Sequence, residues 1–394
     1  MWRKFTADRI YPVSSAPVSQ SVLIADSEGR IMAIEPLSNH DPASVEHFRG
    51  ALVPGFVNTH CHLELSHMKG LVDTGTGLIP FITDVVTKRN FPAEVIAEAI
   101  QRAEQEMLEG GIVAVGDISN TSDTFFVKAQ GRLRYYTFVE TFDFLQDAGA
   151  EKAINDWKPI YEAAPTDHGS QKALVPHAPY SVSPTLFKKI AEANAGRQVT
   201  VSIHNQETPD ENELFLYGRG GFYAFYDRFG FDLSHFEPIG QTSIHFALKY
   251  LDPEQRTLFV HNTLTTADDI RAAHAWSPNV FWATCPNANL YIENRLPKYR
   301  YFLDTGARLT LGTDSLTSNW QLSLLEEMKT IARYQSYVPF EDLLRWATLN
   351  GAQALGFDDT LGSFDAGKKP GILLLEGLTP DYRLTTSTTV RRLL

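Results

Sequence analysis

The sequence predicts an α/β fold, a (β/α)8 TIM barrel with a small β-sandwich built from both chain ends. The middle of the chain alternates short apolar runs with helical segments, as βαβ units do, and the eight runs match the strand number of a closed barrel. Both ends instead carry short strand patterns that are broken by Ser, Gly and Asp.

The eight apolar runs lack a polar residue at every second position, which is typical of parallel strands buried on both faces. They are Ala51–Thr59, Gly111–Ile118, Leu133–Thr141, Ala173–Pro176, Val199–Ile203, Thr257–Val260, Val280–Ala283 and Arg308–Leu311. Between them, apolar residues recur at helical spacing. The predicted helices include Ala93–Glu109, Pro184–Ala195, Thr266–Trp276 and Leu322–Tyr334.

The strand patterns of the two ends suggest one small sheet domain. They cover Lys4–Tyr11, Val18–Asp26, Arg30–Pro36, Gly371–Glu376 and Arg383–Arg392. We therefore assign residues 1–53 and 357–394 to a β-sandwich domain and residues 54–356 to the barrel. An open doubly wound sheet is the alternative for the middle, but the glycine-rich turn expected after its first strand is missing.

Composition and charge exclude several partners. The chain has 394 residues and a net charge of −12, from 35 basic and 47 acidic residues. It has no long basic run that could follow phosphates, so nucleic acid is not an expected partner. No apolar segment suits a secretory signal or a membrane span, which favours a cytoplasmic protein with no membrane partner. The two cysteines, Cys61 and Cys285, suggest no disulfide framework.

Polar side chains follow the apolar runs at the end of the barrel where active sites lie. The first run leads into His60-Cys61-His62. Residues at i and i+2 of a strand point to the same face, so the two histidines can reach one ion while Cys61 points away. An isolated pair of this kind is also compatible with two incidental histidines.

Four later runs end in residues of the same chemistry. They lead into His177, into His204 with Glu207, into His261, and into Asp314. Burying several such groups at one rim without a metal or partners would be costly. Imidazole nitrogens with a carboxylate suit zinc, and also iron or manganese. The P-C-x-x-C of small zinc deaminases and the H-E-x-x-H of zinc proteases are both absent.

These motifs together resemble the amidohydrolase superfamily, in the deaminase and chlorohydrolase branch that includes guanine, cytosine and S-adenosylhomocysteine deaminases. The resemblance spans nearly the whole chain. The matching segments are Pro54–His62, His177–Ser181, His204 with Glu207, His261, Leu311–Asp314 with Ser318 and Asn319, and the tail Gly362–Pro370. The chain differs from the family pattern at Leu63–Ser66 and inside His204-Asn205-Gln206-Glu207. These differences affect the pocket and not the ligands, so they bear on the identity of the substrate more than on the chemistry.

The resemblance implies a ligand set and catalytic roles. The implied ligands of one divalent metal ion, zinc in preference to iron or manganese, are His60, His62, His204 and Asp314. The implied catalytic residues are Glu207, His261 and Asp314. Some superfamily members hold two metals through a carboxylated lysine after the fourth strand, but Val175-Pro176-His177 contains no lysine, which favours a single metal.

The resemblance further implies a metal-dependent aminohydrolase. It would deaminate a purine-like nucleobase, nucleoside or related heterocycle by attack of metal-activated water, with release of ammonia. Hydrolysis of a ring amide or a carbon–halogen bond is the alternative on this scaffold, and a non-catalytic barrel would be expected to have lost some of these residues. The expected substrate contacts are His177, Tyr180, Asn319 and Trp320. Aromatic residues within 208–249 form either a substrate lid or a packed loop, and a homodimer is expected because the family is often oligomeric.

Overall fold

The computed structural model describes residues 2–394 as an α/β chain with four four-stranded sheets. The strands, in chain order, are β1 (Arg3–Thr6), β2 (Arg9–Ile10), β3 (Ser21–Ala25), β4 (Ile31–Pro36), β5 (Glu46–His47), β6 (Ala51–Pro54), β7 (Phe56–Cys61), β8 (Ile112–Ser119), β9 (Arg134–Thr141), β10 (Gln171–Pro176), β11 (Thr200–Asn205), β12 (Arg256–His261), β13 (Val280–Thr284), β14 (Leu309–Leu311), β15 (Ile372–Glu376) and β16 (Thr389–Arg392). The predicted α/β class is therefore confirmed.

The helices fill the connections between the strands of the middle. In chain order they are α1 (Leu78–Lys88), α2 (Ala93–Glu109), α3 (Phe125–Lys128), α4 (Ala150–Ala163), α5 (Pro184–Asn194), α6 (Pro209–Tyr217), α7 (Gly221–Arg228), α8 (Ser243–Tyr250), α9 (Ala267–Trp276), α10 (Pro286–Glu293), α11 (Tyr299–Asp304), α12 (Leu324–Tyr334), α13 (Phe340–Ala347) and α14 (Leu349–Leu355). None of the helices within residues 2–394 is long and apolar enough to cross a membrane.

The predicted helices α2, α5, α9 and α12 lie within two residues of their expected bounds, and three of them, α5, α9 and α12, begin at a side-chain cap that is local in sequence. The Ser183 side chain accepts the amide of Leu186 at the start of α5, where Pro184 takes the first helical position. Thr266 and Asp269 form a reciprocal capping box at the start of α9. Each cap satisfies amide groups that the first turn leaves without a partner.

The middle strands form two parallel sheets, with β7 to β10 adjacent in chain order in one and β11 to β14 in the other. Every residue of β7, β11 and β13 is buried, as expected of strands covered on both faces. The short apolar runs of the sequence correspond to these strands.

Backbone hydrogen bonds join the two parallel sheets at both of their edges. The amide of His204 in β11 donates to the carbonyl of His177, directly after β10, at 2.9 Å. At the other edge, the amides of Thr313 and Asp314, which follow β14, both donate to the carbonyl of His60 in β7 at 3.0 Å. These bonds bring together the polar residues at the carboxyl ends of four strands.

Of the other two sheets, β4-β3-β1-β5 contains only N-terminal strands, and β16-β15-β6-β2 combines strands from both ends of the chain. They share a buried apolar cluster that contains Phe5, Ile10, Leu23, Leu52, Phe364, Ile372 and Leu374. The terminal strands are shorter than predicted. Lys4–Tyr11 is divided into β1 and β2, and only the end of Arg383–Arg392 is a strand.

The predicted run Ala51–Thr59 is also two strands. Its first part is β6, which pairs with β15, and its second part begins β7 of a parallel sheet. Gly55 lies between them, and its amide donates to the carbonyl of Pro370 at 3.0 Å. A Cβ at Gly55 would lie 2.3 Å from the Val113 side chain and 2.4 Å from the Pro370 oxygen, so the approach of the two backbones requires glycine.

A buried ion pair fixes the segment that follows β7. The Lys128 ammonium lies 2.7 Å from Asp117 Oδ2 and donates to Ser119 Oγ at 2.8 Å. The other carboxylate oxygen of Asp117 accepts the amide of Leu63 at 2.8 Å. Because both ions are fully buried and have several hydrogen bonds, they hold the chain in place directly after His62.

Candidate metal centre and active site

Four side chains from both parallel sheets converge at the carboxyl ends of the strands. The Nε2 atoms of His62 and His204 are 3.3 Å apart. Asp314 Oδ1 lies 3.5 Å from Nε2 of His60 and 3.5 Å from Nε2 of His62. The spacing of His60 and His62 along β7 therefore brings both rings to the same point, as the sequence predicts.

These residues fit a divalent metal ion. His60 is completely buried, and neither of its ring nitrogens has a hydrogen-bond partner within residues 2–394. A buried polar group without a partner costs free energy, which a bound cation would remove. The candidate ligand atoms of His60, His62 and Asp314 lie within 4.8 Å of one another, and those of His60, His204 and His261 form an overlapping group. Three nitrogens and one carboxylate oxygen suit zinc.

Burial keeps most of these imidazoles neutral, which is the form that binds metal. It lowers the pKa of His60, and it lowers the pKa values of His62 and His261 to about 3. Burial also lowers the pKa of His204, but the hydrogen bond and charge of Glu140 outweigh this and raise it to about 9. A cation at His204 would therefore compete with a proton.

Glu140 and His177 support His204 from the side away from the cluster. His204 Nδ1 lies 2.9 Å from the carbonyl oxygen of His177, to which it donates, and 3.2 Å from Glu140 Oε1. In the neutral form of His204, a proton on Nδ1 leaves the Nε2 lone pair facing Nε2 of His62, 3.3 Å away. Glu140, His177 and His204 form a third group of candidate ligand atoms within 4.8 Å.

Asp314 is fixed by its backbone as well as by its side chain. Its φ of 58° lies in the left-handed region, which non-glycine residues seldom adopt and which is concentrated at functional sites. Ser318 donates to Asp314 Oδ2 at 2.7 Å. Burial tends to raise the pKa of Asp314, but the His60 ring, 3.5 Å away, and the other surrounding histidines outweigh it, so the pKa lies well below its usual range. The carboxylate is therefore ionised.

Gly312, two residues before Asp314, lets β14 approach β7 closely. A Cβ at this position would lie 2.8 Å from the His60 Cβ and 3.0 Å from the Cys285 Sγ. Both neighbours are buried and fixed in place. Any side chain at Gly312 would therefore displace His60 from the cluster.

Glu207 and His261 form a second pair beside the cluster. The Glu207 Oε1 and His261 Nε2 atoms are 3.6 Å apart, too far for a strong hydrogen bond. Asn289 donates from Nδ2 to the His261 carbonyl oxygen at 3.3 Å, which turns its Oδ1 towards His261 Nδ1 at 3.0 Å. Nδ1 therefore carries the proton in this hydrogen-bond network, and the Nε2 lone pair faces Glu207.

Burial raises the pKa of Glu207 well above its usual range. Burial therefore favours the protonated carboxyl, the form that can act as a proton donor. Its backbone is fixed by the Glu211 carboxylate, which accepts the amides of Gln206 at 3.1 Å and Glu207 at 3.0 Å. The surroundings of Glu207 and Asp314 thus favour opposite protonation states in one cleft, an arrangement typical of acid–base sites.

The cluster opens into a cleft with a cavity volume of about 190 Å³. Of the predicted substrate contacts, His177 and Tyr180 line this cleft, whereas Asn319 and Trp320 do not. Asn319 is buried beneath Asp314 and donates from Nδ2 to the Thr313 carbonyl and the Glu327 carboxylate, both at 2.8 Å. The Trp320 side chain points away from the cleft, is 49% exposed and contacts Tyr291.

The aromatic segment 208–249 is both packed and part of the cleft. It forms α6, α7 and α8 rather than an irregular loop. Phe225 and Tyr226 line the cleft, while Phe222 stacks on Tyr180 with ring centroids 4.4 Å apart. The Tyr226 hydroxyl donates to the Tyr180 carbonyl at 2.7 Å, which fixes one wall of the cleft.

Three residues at the site were not predicted from the sequence to belong to it. They are Glu140, Asn289 and Arg89. Glu140 carries a detectable signal, because a charged residue near the end of a buried apolar strand requires a partner. Asn289 lies within α10, and Arg89 directly follows α1, so neither belongs to a strand end. Only the packing of these helices over the strands brings both residues to the cleft or its supporting contacts.

The chain has clear similarity to known proteins. The profile described as the amidohydrolase family matches residues 51–391. An adenosine deaminase of Helicobacter pylori is 27% identical over 324 residues, covering 81% of this chain and 77% of that protein. An aminodeoxyfutalosine deaminase of a Nitratiruptor species is 26% identical over 364 residues, covering 89% of this chain and 87% of that protein.

A solved structure extends this likeness to the whole fold. The crystal structure of an atrazine chlorohydrolase from Arthrobacter aurescens, complexed with zinc, has a TM-score of 0.77 to this chain at 20% identity. The match covers 99% of this chain and 92% of that chain. At this identity the similarity describes the fold.

Removal of one cluster imidazole should remove the metal. We expect His204→Ala, after incubation with zinc and desalting, to retain less than about a tenth of the wild-type metal content, because a three-ligand site binds zinc much more weakly. The measurement is elemental analysis by mass spectrometry. His274→Ala is the control, since His274 accepts a hydrogen bond from Trp282 away from the cluster. Equal metal contents in both variants would contradict the site.

Proposed function

Because this chain belongs to the amidohydrolase family, we propose that it is a metal-dependent aminohydrolase that removes the exocyclic amino group of an adenosine-type nucleoside. It is a hydrolase that acts on carbon–nitrogen bonds other than peptide bonds. The observation that carries the proposal is a metal-fitting imidazole cluster with Asp314, beside which the buried Glu207 carboxyl lies 3.6 Å from His261. The names of the adenosine and aminodeoxyfutalosine deaminases support a purine nucleoside as the substrate class.

The architecture belongs to the same proposal. The two parallel sheets close into one (β/α)8 barrel over residues 54–356, and the terminal sheets pack as a β-sandwich of residues 1–53 and 357–394. The hydrogen bonds from His204 to His177 and from Thr313 to His60 support the closure at both edges. The active site then lies where barrel enzymes generally have it, at the carboxyl ends of the strands.

The residues that would hold a single divalent metal ion, zinc first, are His60, His62, His204 and Asp314. When bound, such an ion acts as a Lewis acid and lowers the pKa of water that it coordinates. His261 is assigned another role, because its Nε2 lies 3.6 Å from Oε1 of Glu207, the proposed proton donor. No lysine follows β10, where Pro176 ends the strand, so nothing in that stretch suggests a bridging ligand for a second ion.

Asp314 and Glu207 carry out the proton transfers. The Asp314 carboxylate accepts one proton from the attacking water, whose oxygen forms a bond to the ring carbon that bears the amino group. The Glu207 carboxyl donates its proton to the adjacent ring nitrogen, which lets the ring accept electrons from the new bond. His261, with its Nε2 lone pair facing the site, orients the attacking water.

Ammonia then leaves as the carbon–nitrogen bond breaks. The proton held by Asp314 passes to the departing amine. The second proton of the water restores the Glu207 carboxyl as the ring carbonyl forms, so that atoms and charges balance. Phe225, Tyr226 and Phe142 line the cleft beside these groups and can pack against a purine ring.

The proposed activity predicts ammonia release from adenosine-type nucleosides. Zinc-loaded protein is incubated with adenosine, 5′-substituted adenosines, guanosine, cytidine and 6-chloropurine riboside, and both ammonia and chloride are measured. We expect ammonia from the adenosine group only, at least about tenfold faster than from guanosine or cytidine. Chloride release from 6-chloropurine riboside without ammonia from any nucleoside would contradict deamination and favour carbon–halogen hydrolysis.

The role proposed for Glu207 predicts that its substitution lowers the turnover number and leaves the metal content unchanged. We expect Glu207→Gln to keep the wild-type metal content and to lower kcat by about 10²–10⁴-fold, because the amide cannot supply the proton. Glu213→Gln is the control, since Glu213 lies on α6 and pairs with Arg219 at the surface. Full activity of the Glu207 variant would remove this residue from the reaction.

A further inference from the structure

The cleft contains one strong cation apart from its histidines. Among the residues within 2–394 that line it, Arg89 is the sole arginine or lysine. The ionised or ionisable acids of the same cleft, Glu140, Glu207 and Asp314, all lie in or beside the imidazole cluster. Arg89 instead directly follows α1 and also lines a neighbouring cleft with Glu64 and Phe91, so it lies on the wall between the two.

The buried Glu64 side chain holds Arg89 in place. Nη2 of Arg89 donates to Glu64 Oε1 at 3.3 Å, and Glu64 is buried. The other Glu64 oxygen accepts the amides of Asn120 and Thr121 at 2.9 and 3.0 Å and the Thr121 hydroxyl at 3.1 Å. Glu64 therefore has three donors besides Arg89, and the arginine is positioned by a carboxylate whose own place is fixed.

The guanidinium keeps donors for a ligand. Only Nη2 of the Arg89 side chain has a hydrogen-bond acceptor within residues 2–394, and the side chain is 32% exposed. An arginine fork that is anchored at one nitrogen and free at the others binds carboxylate or phosphate oxygens well, because little side-chain entropy remains to be lost. Arg89 is among the residues that line the cleft containing the metal-fitting cluster.

The cleft combines three kinds of lining. The cluster and Arg89 both line it, and so does the apolar face of α1, with Ile82, Val85 and Val86. A substrate that contacts all three would place its base at the cluster, an apolar part against α1 and a group that suits a cation at Arg89.

We propose that Arg89 determines substrate specificity by binding an anionic group, a carboxylate or a phosphate, that an adenosine-type substrate carries beyond its ribose. The inference rests on the proposed deamination and names the substrate class more narrowly. Arg89 is the sole arginine or lysine among the described residues that line the cleft, so the anion would bind there while the uncharged base lies at the cluster.

The test compares charged substrates with neutral isosteres. Zinc-loaded protein is assayed for ammonia release from 5′-carboxyalkylthio-adenosines of increasing chain length, from the matching carboxamides, from adenosine 5′-monophosphate and from adenosine. We expect kcat/KM to favour the best anionic substrate over its neutral counterpart by about 10–100-fold, as charge-assisted hydrogen bonds do. Preference for the carboxylates or for the monophosphate identifies which anion is bound.

Arg89→Gln should abolish this preference by raising KM for the anionic substrates, with kcat unchanged and with adenosine unaffected. Arg89→Lys should retain part of it. Arg132→Gln is the matched control, because Arg132 is also partly exposed and pairs with a buried glutamate, Glu104, at 3.4 Å, but does not line the cleft.

Two results would overturn the inference while the proposed function stands. One is deamination of neutral adenosines with no anionic preference at any chain length, and the other is a preference that survives Arg89→Gln. Ammonia from none of the adenosines would instead refute the proposed function, and this inference with it.

Discussion

The site depends on one constraint: several imidazoles and carboxylates are buried at a single point where strand ends from two sheets meet. Neither ring nitrogen of His60 has a hydrogen-bond partner within residues 2–394. Beside it, Nε2 of His62 lies 3.5 Å from Oδ1 of Asp314. Such an arrangement is costly for a protein without a cation there. The glycine at 312 and the left-handed turn at Asp314 are local features that this convergence requires.

The same burial shifts the pKa values of the titratable groups in the cleft in different directions. It lowers the pKa values of His62 and His261 to about 3 and raises that of Glu207, whereas the surrounding histidines lower that of Asp314. The cleft therefore combines a carboxyl group whose surroundings favour holding a proton with one whose surroundings favour losing it. The supporting contacts from Asn289, Ser318 and Glu140 fix which atom of each side chain faces the others. The chemistry thus follows from the placement of the groups as much as from their identity.

The sequence predicts features that depend on neighbouring residues. It does not predict features that depend on how distant segments pack together. The apolar runs and helix caps predict most strands and helices, and the spacing of His60 and His62 predicts their convergence, because all are properties of neighbouring residues. The boundary within Ala51–Thr59 depends on the approach of Pro370 to Gly55. The roles of Asn289 and Arg89, and the exclusion of Asn319 and Trp320 from the cleft, depend on how distant helices and loops pack over the strands.

The metal centre is the central claim, and anomalous X-ray diffraction at the zinc edge from a crystal of zinc-loaded protein tests it most directly. The account predicts one anomalous peak at a coordination distance of about 2.0–2.2 Å from the Nε2 atoms of His60, His62 and His204 and from the Asp314 carboxylate. A single peak centred between Glu140 and His177, or no ordered peak in crystals of fully loaded protein, would contradict it.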